Sequence, residues 1–189
     1  PAVRFSIRSD ELEEQPAKLK ADYQTILQIP SLLCIGQHKL TGIIGEQARV
    51  QEVVRNIVLQ LAMLHSYTDV RLIGLFREDE QELFSWLRWL PHVFSPDKSH
   101  RLLACSEADY QAVLSYLLDV LRARDSRDAL QSGEAPLPVY VVLCTDPKIL
   151  CNHAVYRYLT DGGSYNVFFL LAYGHMEFLP NECKYLVQA

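Results

Sequence analysis

Two glycines between an apolar run and a long helical segment give residues 41–56, TGIIGEQARVQEVVRN, the layout of a phosphate-binding loop. Gly42 and Gly45 lie at the end of a predicted strand, and a strongly periodic segment follows them. A strand, a glycine turn and a helix in this order bind phosphate well, because backbone N–H groups and the helix dipole converge on the anion. The chemistry to test is therefore nucleotide binding.

The side chains that hold a nucleotide are missing from this stretch. In the motif G-x-x-x-x-G-K-[ST], the lysine neutralises the phosphates and the hydroxyl helps to hold Mg²⁺. Counted from Gly45, Gln51 and Glu52 occupy the lysine and hydroxyl positions, and counting from Gly42 also finds neither group. Arg49 is the one nearby cation. We therefore predict a degenerate phosphate loop at Gly42, Gly45, Gln51 and Glu52 that holds no cofactor.

A second apolar strand, VYVVLCTD (139–146), stands where an acid for magnesium or water would be expected. Asp146 is displaced from the apolar run by two residues, and Pro147 follows it. Aspartate before proline is typical of a helix start, with the aspartate as N-cap and the proline as first helical residue. We therefore predict a capping role for Asp146 and no catalytic residue.

Strands and helices alternate from Leu40 to the end of the chain, which predicts an α/β fold. The clearest helix, 46–66, places Val50, Val54, Ile57 and Leu61 on one face for packing against a sheet. We expect three layers, with a mostly parallel sheet and helices on both faces, similar to a P-loop ATPase fold with degenerate nucleotide motifs. The other predicted helices are 18–27, 79–90, 106–125 and 147–159. The other predicted strands are 2–7, two short strands around a turn at 36–38, 69–76, 100–106, 139–146, 166–173 and 185–189.

Composition excludes several classes of function. Acidic residues outnumber basic ones by 23 to 18, so the net charge of −5 argues against a nucleic-acid-binding surface. No run of 18 apolar residues is present to span a membrane. The five cysteines and six histidines show no metal-binding spacing, and the cysteines in apolar runs indicate reduced, buried thiols.

The segment LFSWLRWLPH (83–92) places two tryptophans at i,i+3. One interpretation is that they belong to the core. The other is an interaction surface of Trp86, Arg88, Trp89 and His92, because tryptophan and arginine are enriched at binding hot spots.

Several stretches resemble the FtsK/SpoIIIE-type membrane ATPases of type VII (ESX, Ess) secretion, the EssC/EccC family. They are HKLTGIIGEQARVQEVVRNIVLQLAMLHSYTDVRLIGLF, WLRWLPH and LPNECKYLVQA, with LHSYTDVRL and WLRWLPH the most specific. The matching region resembles the degenerate ATPase-like domain between the transmembrane helices and the first ATPase module. Residues 1–28 are similar to the segment leading from the membrane, and 29–189 to the ATPase-like domain.

The resemblance implies a place in a larger motor. ATP and Mg²⁺ would belong to downstream modules, and this domain would have no catalytic residue. Its partners would be the membrane segment and ATPase modules of the same chain, other secretion components and further copies of the full-length protein, with no nucleic acid. Its location would be the cytoplasmic face of the bacterial membrane.

Three functions stay open at this point. The first is a non-catalytic domain that couples the membrane anchor to downstream ATPase modules in protein export. The second is a working ATPase domain with an atypical phosphate loop. The third is part of an FtsK-like DNA translocase, which the negative net charge disfavours.

Overall fold

The computed structural model describes residues 16, 18–19, 32–125, 137–160 and 165–189. The chain divides into two compact units, Pro1–Leu33 and Cys34–Ala189, and the second holds the elements below. The strand predicted at 2–7 and most of the helix predicted at 18–27 lie outside the described residues, although Lys18 and Leu19 are helical. The boundary predicted between residues 28 and 29 stays a prediction.

A six-stranded sheet with the strand order β3-β2-β4-β5-β1-β6 forms the centre of the second unit. All of its strand pairings are parallel. The strands are β1 (Leu40–Ile44), β2 (Val70–Leu75), β3 (Leu103–Ala104), β4 (Val139–Cys144), β5 (Val167–Gly174) and β6 (Tyr185–Gln188). The inner strands β2, β4 and β5 are almost entirely apolar, apart from the buried Arg71 of β2, because both of their faces are covered.

Helices connect the strands: α1 (Gln47–Leu64), α2 (Gln81–Phe84), α3 (Glu107–Asp125), α4 (Pro147–Cys151) and α5 (Tyr156–Thr160). Two apolar cores separate them into layers. One core contains Val50 and Val54 of α1, with Ile57 and Leu61 packed at its margin. The other core contains residues of α3, α4 and α5. Each face of the sheet therefore carries helices, which confirms the predicted α/β architecture.

The segment 79–90 is not the single helix that its sequence predicts. It consists of a 3₁₀ helix at Glu78–Glu80, the short helix α2 and a second 3₁₀ helix at Ser85–Trp89. Phe84 of α2 and Leu87 of the second 3₁₀ helix are buried and anchor the segment to the core.

Three further elements differ from their predictions. The helix predicted at 147–159 breaks into α4 and α5, because the His153 ring accepts the Val155 N–H at 3.3 Å and replaces a helical bond. The strand predicted at 100–106 shrinks to the two residues of β3. The two strands predicted around the turn at 36–38 reduce to β1, with a 3₁₀ helix at Ile35–Gln37 before it.

Candidate functional site at the carboxyl ends of the strands

A crevice with a volume of about 300 Å³ opens at the carboxyl ends of β1, β2, β4 and β5. This edge is where ligands bind in open parallel sheets, at the point where connections leave neighbouring strands toward opposite faces. Here α1 follows β1 onto one face, whereas Leu179, beyond the end of β5, packs against the core of the other face. The crevice therefore has the location of a nucleotide site.

The turn from β1 to α1 is short. Only Gly45 and Glu46 separate strand from helix, and Gly45 has a φ of +140°, which suits glycine. The Gly45 N–H donates to the carbonyl of Gly174 at 2.9 Å, and a Cβ on Gly45 would lie 2.7 Å from the Ala189 carbonyl oxygen. A phosphate loop instead presents several free N–H groups around the anion.

Gly42 lies within β1, outside the turn. A Cβ at this position would lie 2.5 Å from a methyl carbon of Leu179 and 2.9 Å from one of Leu186. The missing side chain therefore makes room for the segment after β5 and for β6. This glycine serves packing, and the two glycines that suggested one loop have different structural reasons.

The α1 residues predicted to replace the phosphate-binding groups point in different directions. Gln51 lines the crevice, together with Val50 and Val54 of the same helix. Glu52 is exposed, and its carboxylate accepts from Arg49 at 3.4 Å. Neither of these two charged residues lines the crevice. The cation nearest to the loop in sequence is thus unavailable to a ligand bound there.

A buried carboxylate that the sequence reading missed lies in the crevice. Glu80, which follows β2, is only 6% exposed. Its carboxylate accepts from the Thr145 hydroxyl, from the Arg77 side chain at 3.3 Å and from the Arg77 backbone N–H at 3.4 Å. We call these three residues the Glu80 bridge. It links the ends of β2 and β4 across the floor of the crevice.

The pairing register of the parallel strands β2 and β4 explains why these residues meet. Leu75 of β2 pairs with Cys144 of β4, so the residues just beyond them lie side by side. The sequence after β2, FREDE, is acidic, and the sequence after β4 begins with Thr145. A search for acids after both strands would have found Glu80.

Asp146 has the capping role that the sequence predicts. Its side chain accepts the Lys148 N–H at 2.8 Å, and Pro147 is the first residue of α4. Burial raises the pKa of the neighbouring Cys144 thiol to about 12, which disfavours its reactive thiolate form. Burial likewise raises the pKa of Tyr173, whose hydroxyl interacts with that thiol.

Positive charge in the crevice is largely neutralised. Arg77 pairs with Asp79 at 3.1 Å as well as with Glu80, which leaves Lys148 as the exposed cation of the lining, to which His175 also contributes. Close pairing with cations is what holds a polyphosphate, and Asp146 adds a negative charge to the same wall. Within the described residues, no three histidine, cysteine or acidic side chains come together to hold a metal.

The structure divides the predicted interaction surface of the 83–92 segment. Trp89 is 79% exposed, and the Arg88 guanidinium lies 5.5 Å from the centre of its ring. Trp86 is half-buried and packs against the core that contains α1. His92 is only 5% exposed, and its Nε2 lies 2.9 Å from the His65 carbonyl, so its side chain faces the interior, and the interaction surface stays a prediction.

Fold and crevice together define a parallel-sheet α/β domain of the ATPase-like class, in which a tight turn replaces the phosphate loop. Sequence comparison narrows this class. The chain is 29% identical over 152 residues to the ESX secretion system protein EccC of Geobacillus thermodenitrificans (strain NG80-2), across 80% of this chain and 10% of that protein. It is 25% identical over 188 residues to the type VII secretion system protein EssC of Staphylococcus aureus (strain MSSA476), across 97% of this chain and 13% of that protein.

Solved structures agree on the fold. The cytoplasmic domain of the Thermomonospora curvata type VII secretion ATPase EccC matches with a TM-score of 0.57 and 13% identity, over 76% of this chain and 17% of that chain. Thermomonospora curvata EccC (ATPases 2 and 3) in complex with a signal sequence peptide matches with a TM-score of 0.54 and 11% identity, over 76% and 26%.

The chain is thus similar to the EccC and EssC proteins of type VII secretion over most of its length, which confirms the resemblance read from its sequence. It spans about a tenth of the length of the curated relatives it matches. No protein-family profile matches it. Across the described parts of the chain, no helix is both long and apolar enough to cross a membrane.

Proposed function

We propose that this chain is a non-catalytic, ATPase-like domain of a type VII secretion motor protein. The observation that supports this proposal is the two-residue turn between β1 and α1, whose Gly45 N–H is already bonded to Gly174. A nucleotide needs free backbone N–H groups and at least one unengaged cation at this turn. At this turn the Gly45 N–H is already engaged, and the nearest arginines are paired with carboxylates.

We further propose that the domain couples a membrane anchor to ATPase modules of the same protein during export. The relatives are much longer than this chain, and one structural neighbour is the cytoplasmic domain of a secretion ATPase. The Glu80 bridge supports a coupling role, because it connects the ends of two strands through side-chain hydrogen bonds. In this proposal the domain lies at the cytoplasmic face of the membrane, ATP and Mg²⁺ are bound by other modules, and full-length copies assemble with one another and with other secretion components.

Calorimetric titration of the 189-residue chain with ATP and Mg²⁺ tests the non-catalytic assignment. We expect no saturable heat up to millimolar ATP. A Kd in the micromolar range that is lost in Lys148→Ala and kept in Arg49→Ala would establish nucleotide binding in the crevice. The matched pair is informative because Lys148 lines the crevice, whereas Arg49 is an exposed cation outside it.

The alternative function, a nucleotide-binding ATPase domain with an atypical loop, is favoured by one observation. The crevice has the right location, and the first turn of α1 faces it through Gln47, Val50 and Gln51. This alternative predicts that Lys148 closes on the phosphates. The same titration therefore separates the two functions.

A further inference from the structure

Residues 81–89, comprising α2 and the 3₁₀ helix after it, form a ridge with a groove along each side. Phe84 is buried and contributes to the walls of both grooves. One groove, of about 180 Å³, separates the ridge from α1 and also contacts Trp86. The other, of about 190 Å³, separates the ridge from the edge strand β3. At its end the ridge carries the exposed ring of Trp89.

The groove beside β3 has a polar and positively charged lining. Arg88 comes from the ridge and Arg101 from the segment before β3, and Gln81 and Ser85 add polar groups along the ridge side. Leu103 forms part of the apolar floor. We call this the arginine groove. The sequence reading identified Arg88 but not Arg101, which is distant in sequence.

Neither guanidinium of the arginine groove forms an ion pair with any of the described residues. Each lies beside an aromatic ring instead, Arg88 by Trp89 at 5.5 Å and Arg101 by Phe94 at 5.2 Å. Asp109 is the acid at the groove, and its carboxylate accepts from the Ser106 hydroxyl at 2.7 Å. On a chain with a net charge of −5, two unpaired arginines in one groove are unusual and complement a negative ligand.

We propose that the arginine groove and Trp89 bind an acidic segment of a partner protein. Carboxylates of the segment pair with Arg88 and Arg101, since guanidinium binds carboxylate through two parallel hydrogen bonds. An apolar side chain of the segment packs on Trp89, which supplies a large exposed surface beside the charges. The groove holds one or two carboxylates, and the exposed acid Glu82 on the ridge disfavours a long polyanion such as nucleic acid.

Fluorescence anisotropy with a labelled amphipathic Glu/Leu peptide tests this proposal on the 189-residue chain. We expect a Kd of about 10–100 µM that weakens at least about 10-fold when salt rises from low to half-molar, because the exposed charges are screened. Arg88→Gln and Arg101→Gln should each weaken binding by about 10-fold, the size expected for losing one charge-assisted pair. Trp89→Ala should weaken it by a similar factor.

Matched controls are Arg49→Gln on α1 and Arg122→Gln on α3. Both are exposed arginines that pair with acids three residues away on their own helices, and each change should alter binding by less than about 2-fold. Circular dichroism would verify that every variant is folded. The proposal is wrong if a charge-reversed Lys/Leu peptide binds as tightly, if the control variants weaken binding as much as the groove variants, or if the Glu/Leu peptide fails to bind at millimolar concentration. Tighter binding of a single-stranded oligonucleotide would also overturn it, in favour of a nucleic-acid site.

Discussion

Removal of the hydroxyl of Thr145 should weaken the domain far more than the loss of an ordinary surface hydroxyl. In the Glu80 bridge this hydroxyl donates to a carboxylate that is only 6% exposed. Thr145→Val keeps the shape of the side chain and leaves Glu80 with Arg77 as its remaining partner. The variant therefore tests whether the floor of the crevice is held by this internal bond.

The expected magnitude follows from the bond type and its burial. A hydrogen bond to a charged group contributes about 1.5–3 kcal/mol, and a buried acceptor that loses its donor keeps its desolvation penalty. Arg77 remains a partner of the Glu80 carboxylate in this variant, but its side chain is 36% exposed, so solvent weakens their attraction. Arg77 therefore compensates only partly for the lost hydroxyl. We expect Thr145→Val and Glu80→Ala each to lower the free energy of unfolding by about 2 kcal/mol. The double variant should lose about the same amount, with a coupling energy of about 2 kcal/mol.

Urea unfolding followed by tryptophan fluorescence measures these differences, with unchanged m-values as the check on two-state behaviour. Thr68→Val is the matched control, because this hydroxyl also donates to a carboxylate, that of Asp69 at 3.1 Å, but in an exposed place. The control should change stability by less than about 0.5 kcal/mol. Additive effects of Thr145→Val and Glu80→Ala would refute the bridge, and so would equal losses from Thr145→Val and the control.

Further predictions concern the turn, a buried arginine and an acid. Gly45→Ala should destabilise the domain by about 2 kcal/mol, because its φ is +140° and the new Cβ would meet a carbonyl oxygen at 2.7 Å. Gly36→Ala, with open space around it, should stay within about 0.5 kcal/mol of the wild type in the same urea assay. Arg124→Met should lower the melting temperature by several degrees, since its guanidinium donates to three backbone carbonyls at 2.6–3.2 Å, and an unchanged melting temperature would contradict this role. Hydrogen bonds from serine donors lower the pKa of Asp97 in the folded state. The stability that Asp97 contributes is therefore present above its unfolded pKa of about 3.9 and is lost as the pH falls toward the folded pKa. The difference in unfolding free energy between wild type and Asp97→Asn should accordingly shrink as the pH is lowered below about 3.9.

The layered α/β fold could be predicted because its inner strands are long, apolar and separated by helices. Strand β4 has no polar residue other than a tyrosine, and α1 carries valines at helical spacing on its buried side. These patterns follow from two-sided burial and depend little on details of the chain. The segment 79–90 was harder, because its helical pattern predicts one α-helix, and residues three apart share a side in an α-helix and in a 3₁₀ helix alike.

Exposure of the tryptophans could not be read from their spacing. In an α-helix or a 3₁₀ helix, Trp86 and Trp89 share a side, so both interpretations of the segment treat them as a pair. The structure separates them: Trp86 lines the groove beside α1, whereas the Trp89 side chain is exposed to solvent. Trp86→Ala should therefore mainly affect stability, and Trp89→Ala mainly binding.

The phosphate loop shows where sequence spacing alone misleads and where it succeeds. Motif counting correctly finds no lysine or hydroxyl at the required positions, but it assumes that a loop exists in which they could stand. That assumption does not hold, because helix α1 starts at Gln47 and only two residues separate it from the end of β1 at Ile44. Helix boundaries are the least certain part of a sequence-based prediction. The turn is tight because the Gly45 N–H and the Ile44 carbonyl bond to Gly174 and Ala189, residues contributed by distant parts of the chain. Under the proposed function, the missing side chains and the short turn each oppose nucleotide binding, so restoring lysine at position 51 alone should not create an ATP site.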